Sequence, residues 1–429
     1  MKFSICFLLL LLLPLVSEAQ IDLDPNKKVS GYDLVYSTRP HRVREKTKRN
    51  FTRYDIPFEY KNNLMVVNLI FDGVFPLEFI FDTGAEHTIF SKKKITDLLR
   101  IKYHRKFTIY GSDMRVKLIA YLVRGIKLEI ADLTLANHSM LVLEKDYFHF
   151  EEVAGMAIHG ILGSDVFRNF IVKIDYKKNQ ISLFRPKSFK ENLKKYEKIP
   201  IEIFKHKPYI TASTKFENDS ILQLKLLLDT GASIPLLLHT NTDPRMVLPN
   251  NLIRGNIGMG LGGFLEGAVG RVNELTIGSF ELKNVITNFR DLPDDIDTSM
   301  LYNRNGILGN QILNRFSVII DYQKQFLYLK PYKNFDDKFE FDKSGIFVVA
   351  GGPKLNTYYI HEIIQDSPAW EAGLRKGDRI KKLKGMPARI FSLRHIGNIL
   401  SKKEGKKIKM VVFRKGERLK AAFRLRKLI

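Results

Sequence analysis

The tetrapeptide Asp-Thr-Gly-Ala occurs twice in this chain, beginning at Asp82 and at Asp229, and each copy sits in an apolar run: "FIFDTGAEHTIF" and "LLLDTGASIPLLL". An unpaired carboxylate in such surroundings is costly, so a fold that places the same acid there twice must offer it a partner. The repeat runs further. "GILGSDVFRNFIVKIDYKK" begins at Gly160 and "GILGNQILNRFSVIIDYQK" at Gly306, with ten of nineteen positions identical. The spacing from the Asp to the Gly-Ile-Leu-Gly run is 78 residues in one copy and 77 in the other. Agreement over that distance implies two copies of one structural unit.

Each copy reads as β-rich. "NNLMVVNLIF", "VRGIKLEIADLTL" and "GRVNELTIGSFELKNV" are alternating or β-branched runs with polar and glycine breaks, the pattern of strands joined by hairpins. After each Ile-Leu-Gly the sequence predicts a short helix, with Ser164 or Asn310 as N-cap, and then a return to strand. The units are expected over residues 55–187 and 197–332, joined by a basic linker at 188–196. Asp165 is expected at a helix start, and Asp175 and Asp321 at strand ends, rather than in catalysis.

The remaining chain bounds the chemistry. At 429 residues two or three domains are expected, and 45% hydrophobic content fits packed domains. Residues 1–19, with Lys2 ahead of an apolar run and small residues at Ser17 and Ala19, read as a signal peptide followed by a leader at 20–54. The expectation is export, to the periplasm or outside the cell. Cys6, the single cysteine, falls in that segment, so the mature chain would hold no disulfide and no thiol nucleophile. No HExxH or comparable cluster is present, and no metal or cofactor is expected. Asn50, Asn137 and Asn218 match glycosylation acceptors, which matter only in a eukaryotic secretory route. The net charge is +24, of which residues 343–429 supply +16, with 22 Lys and Arg against 6 Asp and Glu. A solvated basic face, able to touch an anionic membrane surface, is the reading of that excess; no nucleic-acid motif accompanies it.

Two such units facing each other across a twofold axis would bring the two Asp turns together. Close carboxylates resist ionising together, so the pair would share one proton. The ionised member takes a proton from a water molecule while the protonated member donates to the carbonyl under attack. That is hydrolysis of a peptide bond without a metal or a covalent intermediate.

These motifs resemble the aspartic peptidases, specifically their retropepsin-like units. The resemblance implies Asp82 and Asp229 as the catalytic pair, supported by Thr83, Gly84 and Ala85 and by Thr230, Gly231 and Ala232. The triplets Ile161, Leu162, Gly163 and Ile307, Leu308, Gly309 would pack beneath the turns. "GNIGMGLGGFLEG", with Gly258, Gly260, Gly262 and Gly263, resembles a flap that closes over substrate, and Tyr110 in "KFTIYGSDMRV" stands at the matching place of the first unit. Ala85 and Ala232 lack the hydroxyl that would favour the charged carboxylate, so a less acidic working range than a pepsin's is expected.

From Lys343 onward, "DSPA", "AGL" and "GDRI" resemble a PDZ domain, expected over 333–429. The resemblance implies binding of an extended peptide, commonly a free C-terminus, at Ser344, Gly345, Ile346, Phe347 and Val348, opposite a helix near 393–400. The whole resembles the secreted aspartyl-protease-family proteins of Bacteroidota. The fold class expected is mainly β: two retropepsin-like acid-protease β-barrel units forming a pseudo-twofold bilobal body, followed by a PDZ domain. An endopeptidase active as a single chain on extended peptide or protein substrates is the first reading. An inactive peptide-binding scaffold is the second, and a peptidase that works only when two chains pair is the third.

Overall fold

A computed structural model describes residues 52–148, 151, 155–296, 298–352 and 354–429. The expected signal segment, most of the leader, Cys6 and Asn50 lie outside those residues. Among the described residues no helix is long and apolar enough to cross a membrane, and the strands form sheets of thirteen, eight and six.

The Asp-bearing strands explain themselves. Ile221–Asp229 alternates exposed and buried residues at its start and is buried continuously from Leu226 to Asp229. It begins half-covered and ends inside the protein, between the antiparallel strand Lys207–Lys215 and the parallel strand Gly306–Gly309. Phe75–Phe81 is likewise flanked by antiparallel Leu64–Phe71 and parallel Gly160–Leu162. The registers repeat: Phe79, Ile80 and Phe81 lie beside Gly160, Ile161 and Leu162, and Leu226, Leu227 and Leu228 lie beside Gly306, Ile307 and Leu308. The strands after each turn, Ile89–Phe90 and Leu236–His239, then pair with the far side of the same short strands.

The two halves meet where Ile171–Asp175 pairs antiparallel with Phe316–Asp321. The register sets Ile174 against Val318 and Val172 against Ile320. Each pair is the other's image under the 146-residue repeat offset, so a twofold axis passes between them. Asp175 and Asp321 close these strands and accept bonds from backbone amides of the following turns.

One expectation is corrected. The four-residue helices Ser164–Phe167 and Asn310–Leu313 have Gly163 and Gly309 at their N-caps, with no side-chain cap. Ser164 Oγ instead donates to Glu86 O, and Asn310 Nδ2 donates to Asn63 O at 2.7 Å and Thr230 O at 3.1 Å. These side chains tie the site together rather than satisfying their own helix. Asp165 lies in the first turn, where its carboxylate accepts from Thr88 N and Oγ1.

The six-stranded sheet, residues 346–424, has its own core built on Ile360, Ile380, Ile396 and Val412. Ile346–Gly351 is its edge strand, and the helix Leu393–Leu400 is capped by Ser392, whose hydroxyl accepts from His395 N. Asp378 is fully buried, paired with Arg414 at 2.7 Å and accepting from Arg375 N.

Strand packing leaves no room at Gly160 and Gly306. A Cβ at Gly306 would lie 2.1 Å from Leu237 O, and one at Gly160 would lie 2.2 Å from Ile89 O. Gly306→Ala should therefore lower unfolding stability by about 2–3 kcal/mol in urea titration, whereas Ile221→Ala, at a side chain 61% exposed, should shift it by about 0.5 kcal/mol or less.

Candidate active site

The two Asp-Thr-Gly-Ala turns sit against each other at the twofold. Thr83 N donates to Thr230 Oγ1 at 3.0 Å and Thr230 N to Thr83 Oγ1 at 3.1 Å. Each hydroxyl then donates across the axis, Thr83 Oγ1 to Leu228 O at 2.7 Å and Thr230 Oγ1 to Phe81 O at 2.9 Å. Gly84 N and Ala85 N hold Asp82 Oδ1 at 2.7 and 3.1 Å, and Gly231 N holds Asp229 Oδ1 at 2.8 Å. The turns require glycine, because a Cβ at Gly84 would come within 2.6 Å of the Asp229 carboxyl and one at Gly231 within 2.3 Å of the Asp82 carboxyl.

Both carboxyls are buried, and each lies against the glycine of the opposite turn. Asp82 Oδ2 and Asp229 Oδ2 have no hydrogen-bond partner. Burial, then the neighbouring charge of Asp229, pushes Asp82 well above the usual carboxylate range. Burial pushes Asp229 up to about 6, against the opposing pull of neighbouring Asp82, the Gly231 amide and the Arg304 charge. The pair therefore holds one proton between two groups, and Arg304 favours negative charge on the Asp229 side.

Two hairpins close over the pair. Tyr103–Tyr110 returns as Lys117–Ile130, and Ile253–Gly260 returns as Gly263–Ile277. Their tips bond to each other: Ser112 N donates to Leu261 O at 2.6 Å, and Leu261 N donates to Ser112 Oγ at 2.7 Å. Arg290 anchors the first tip by donating to Ser112 O and Asp113 O. Gly258 and Gly260 lie in the second hairpin's first strand, and Gly262 and Gly263 form its tip with positive φ. Tyr110 ends the strand that feeds the first tip, so Ser112 rather than Tyr110 makes the bridge.

Residues 67–166 match the family model described as aspartyl protease. The matched segment contains the Asp82 turn, the first hairpin and the Gly160–Leu162 strand. No curated protein matches the chain. Among solved structures it is similar to the aspartic proteinase from Irpex lacteus, at 14% identity and a TM-score of 0.41, over 66% of this chain and 99% of that one.

Beyond the matched segment, the structure places Asp229, Thr230, Gly231, Ala232, Ile307, Leu308 and Gly309 at the same centre. Ser344, Gly345, Ile346, Phe347 and Val348 lie apart from it, beside the second hairpin. Ser344 N and Gly345 N both donate to the buried Asp342 Oδ1, and Ile346 N donates to Ser344 Oγ. Burial raises Asp342 to about 6, opposed by those same amides. The backbone donors of this loop are thus occupied within the chain, by the Asp342 carboxylate and the Ser344 hydroxyl. Next to it a cavity of about 540 Å³ runs between Ile346, Val348, Leu393 and Gly397 on one side and Arg254 and Asn256 of the hairpin on the other. Phe264 of that hairpin stacks on His361, with ring centroids 4.3 Å apart.

Sequence reasoning missed Asn63, Ser112, Asn310 and Arg304. Asn63 Nδ2 donates to Ser233 O, which locks the second turn. One signal was present: Asn310 matches Ser164 in the repeat, a polar residue directly after each Gly of the triplet.

The raised carboxyls make a stability prediction with a definite sign. The folded state binds a proton that the unfolded state has already released above its carboxylate pKa of about 4, so stability falls as pH rises from there through about 6. Asp229→Asn removes that loss. Its melting temperature should exceed the wild type's by about 1–3 °C at pH 7, and calorimetry should show the gap closing near pH 4.

Proposed function

We propose that the protein is an aspartic endopeptidase in which Asp82 and Asp229 act together on an extended peptide. One observation carries the reading: two buried carboxyls lie at adjoining turns, each with one oxygen held by turn amides and the other free of hydrogen-bond partners. A water molecule between the free oxygens loses a proton to the ionised carboxylate as it attacks the peptide carbonyl. The protonated carboxyl donates to the carbonyl oxygen, and the gem-diol intermediate collapses with proton transfer to the leaving nitrogen. The hairpin tips must part to admit substrate and then exclude solvent around it. The repeated registers and the central strand pairing support two retropepsin-like units in one chain, sufficient for activity as a monomer.

The C-terminal sheet supports a PDZ-like reading. Its edge strand Ile346–Gly351, facing the helix Leu393–Leu400, is suited to pairing with an extended peptide. With Asp342 on the loop amides, recognition by main-chain pairing replaces capture of a terminal carboxylate. Export, read from residues 1–19, would place this activity in the periplasm or outside the cell. The rival scaffold reading has the same cleft holding peptides without cutting them.

The mature chain should cleave a mixed peptide library, inhibited by pepstatin, and Asp82→Asn and Asp229→Asn should each lose at least about 10³-fold in kcat/KM. Peptide binding without cleavage by the wild type would favour the scaffold. Because Asp229 must ionise while Asp82 keeps its proton, kcat/KM should rise with pH through about 6; a maximum below about pH 3 would contradict the shared-proton site. At the C-terminal groove, calorimetric titration should give equal affinities for a peptide with a free C-terminus and for its amide.

A further inference from the structure

Arg304 is 1% exposed, and none of its guanidinium nitrogens has a hydrogen-bond partner. Both ring nitrogens of His239 and the hydroxyl of Tyr209, each residue 1% exposed, are equally without partners. Lys207, also 1% exposed, lies close enough to feel the charges of Glu86, Arg304 and Asp229, and burial lowers its pKa to about 7. Lys207 and Tyr209 stand on the strand that flanks the Asp229 strand on one side, and Arg304 lies two residues ahead of Gly306, which flanks it on the other, so these groups border the Asp229 carboxyl.

The first half shows what the repeat needs structurally at these positions. Asn305 exchanges two hydrogen bonds with the Lys225 backbone just as His159 does with the Glu78 backbone, which matches Arg304 to Ile158. Tyr209 pairs with Leu227 as Val66 pairs with Ile80, which matches Tyr209 to Val66 and Lys207 to Leu64. Ile158, Val66 and Leu64 form one apolar cluster with Ile161, Ala85 and the hairpin-tip residue Leu261. The fold thus closes with aliphatic side chains at these places. The second half substitutes a guanidinium, an ammonium and a phenol.

A buried guanidinium without partners is costly, and an apolar residue of similar volume would be more stable there. Its persistence beside the reacting groups marks a place completed by a ligand. We propose that the cleft has one apolar subsite and one anion-binding subsite, and that Arg304, with Lys207 and Tyr209, receives the carboxylate of a Glu or Asp residue flanking the scissile bond. The inference rests on the endopeptidase reading: in a twofold cleft, the residues on either side of the cut bond meet equivalent walls of the two halves. A guanidinium fork matches a carboxylate with two parallel bonds.

The test is cleavage of peptides carrying Glu, Gln or Leu in turn at each flanking position. The wild type should prefer Glu over Gln by about tenfold or more at one flank only. Arg304→Met should lose that preference, and Arg304→Lys should retain part of it, with thermal melting verifying that both fold. Equal cleavage of Glu and Gln peptides by the wild type, or an unchanged preference in Arg304→Met, would overturn the proposal. Should no peptide be cut, the endopeptidase reading fails separately. Fluorescence polarisation with the same peptides then reads the subsite, and equal binding of Glu and Gln forms rejects it. A melting shift with inorganic phosphate, without Glu over Gln discrimination, would assign the region to a free anion and likewise reject it.

Discussion

Everything in the centre of this protein depends on two carboxyls being held together away from bulk solvent. Alone, either acid would be a large cost; together they share a proton, and each has an oxygen satisfied by turn amides. The reciprocal bonds between Thr83 and Thr230 set the separation. Because each hydroxyl also reaches a carbonyl of the opposite strand, displacing either turn would break bonds in both halves. The geometry of the acids is thereby fixed by backbone rather than by long side chains.

The covering hairpins use a weaker device. Two bonds between Ser112 and Leu261 join the tips, and such bonds are worth about 1 kcal/mol each after exchange with water. A contact of that size can break without unfolding either hairpin. The second hairpin also touches the C-terminal sheet, where Phe264 stacks on His361.

The acids, their threonines and the two Ile-Leu-Gly triplets were legible in the sequence because backbone pairing fixes their spacing, and the second copy repeats it. The helix Leu393–Leu400 was legible through the PDZ resemblance, and its cap at Ser392 came with the structure. Other features depend on neighbours distant in sequence. Arg304 reads as an ordinary surface cation in "YNRNG", and only the fold buries it. Ser112 and Leu261 are 149 residues apart, with no pattern linking them. Asn310 looked like a helix cap because local rules favour that role, but a deeper set of acceptors in Asn63 and Thr230 won. Asp342 was closer to reach, since an Asp two and three residues ahead of the amides it binds is a local turn motif.

The strand pairing between Ile171–Asp175 and Phe316–Asp321 joins the halves without covalent continuity through the partly buried linker at 188–196. Glu197–Pro200 adds to the same sheet against Phe326–Pro331. Covalent continuity through the linker therefore serves to bring the halves together, while hydrogen bonds and packing hold them afterwards. A chain nicked in that linker would persist as a complex of two unlike fragments, each supplying one acid.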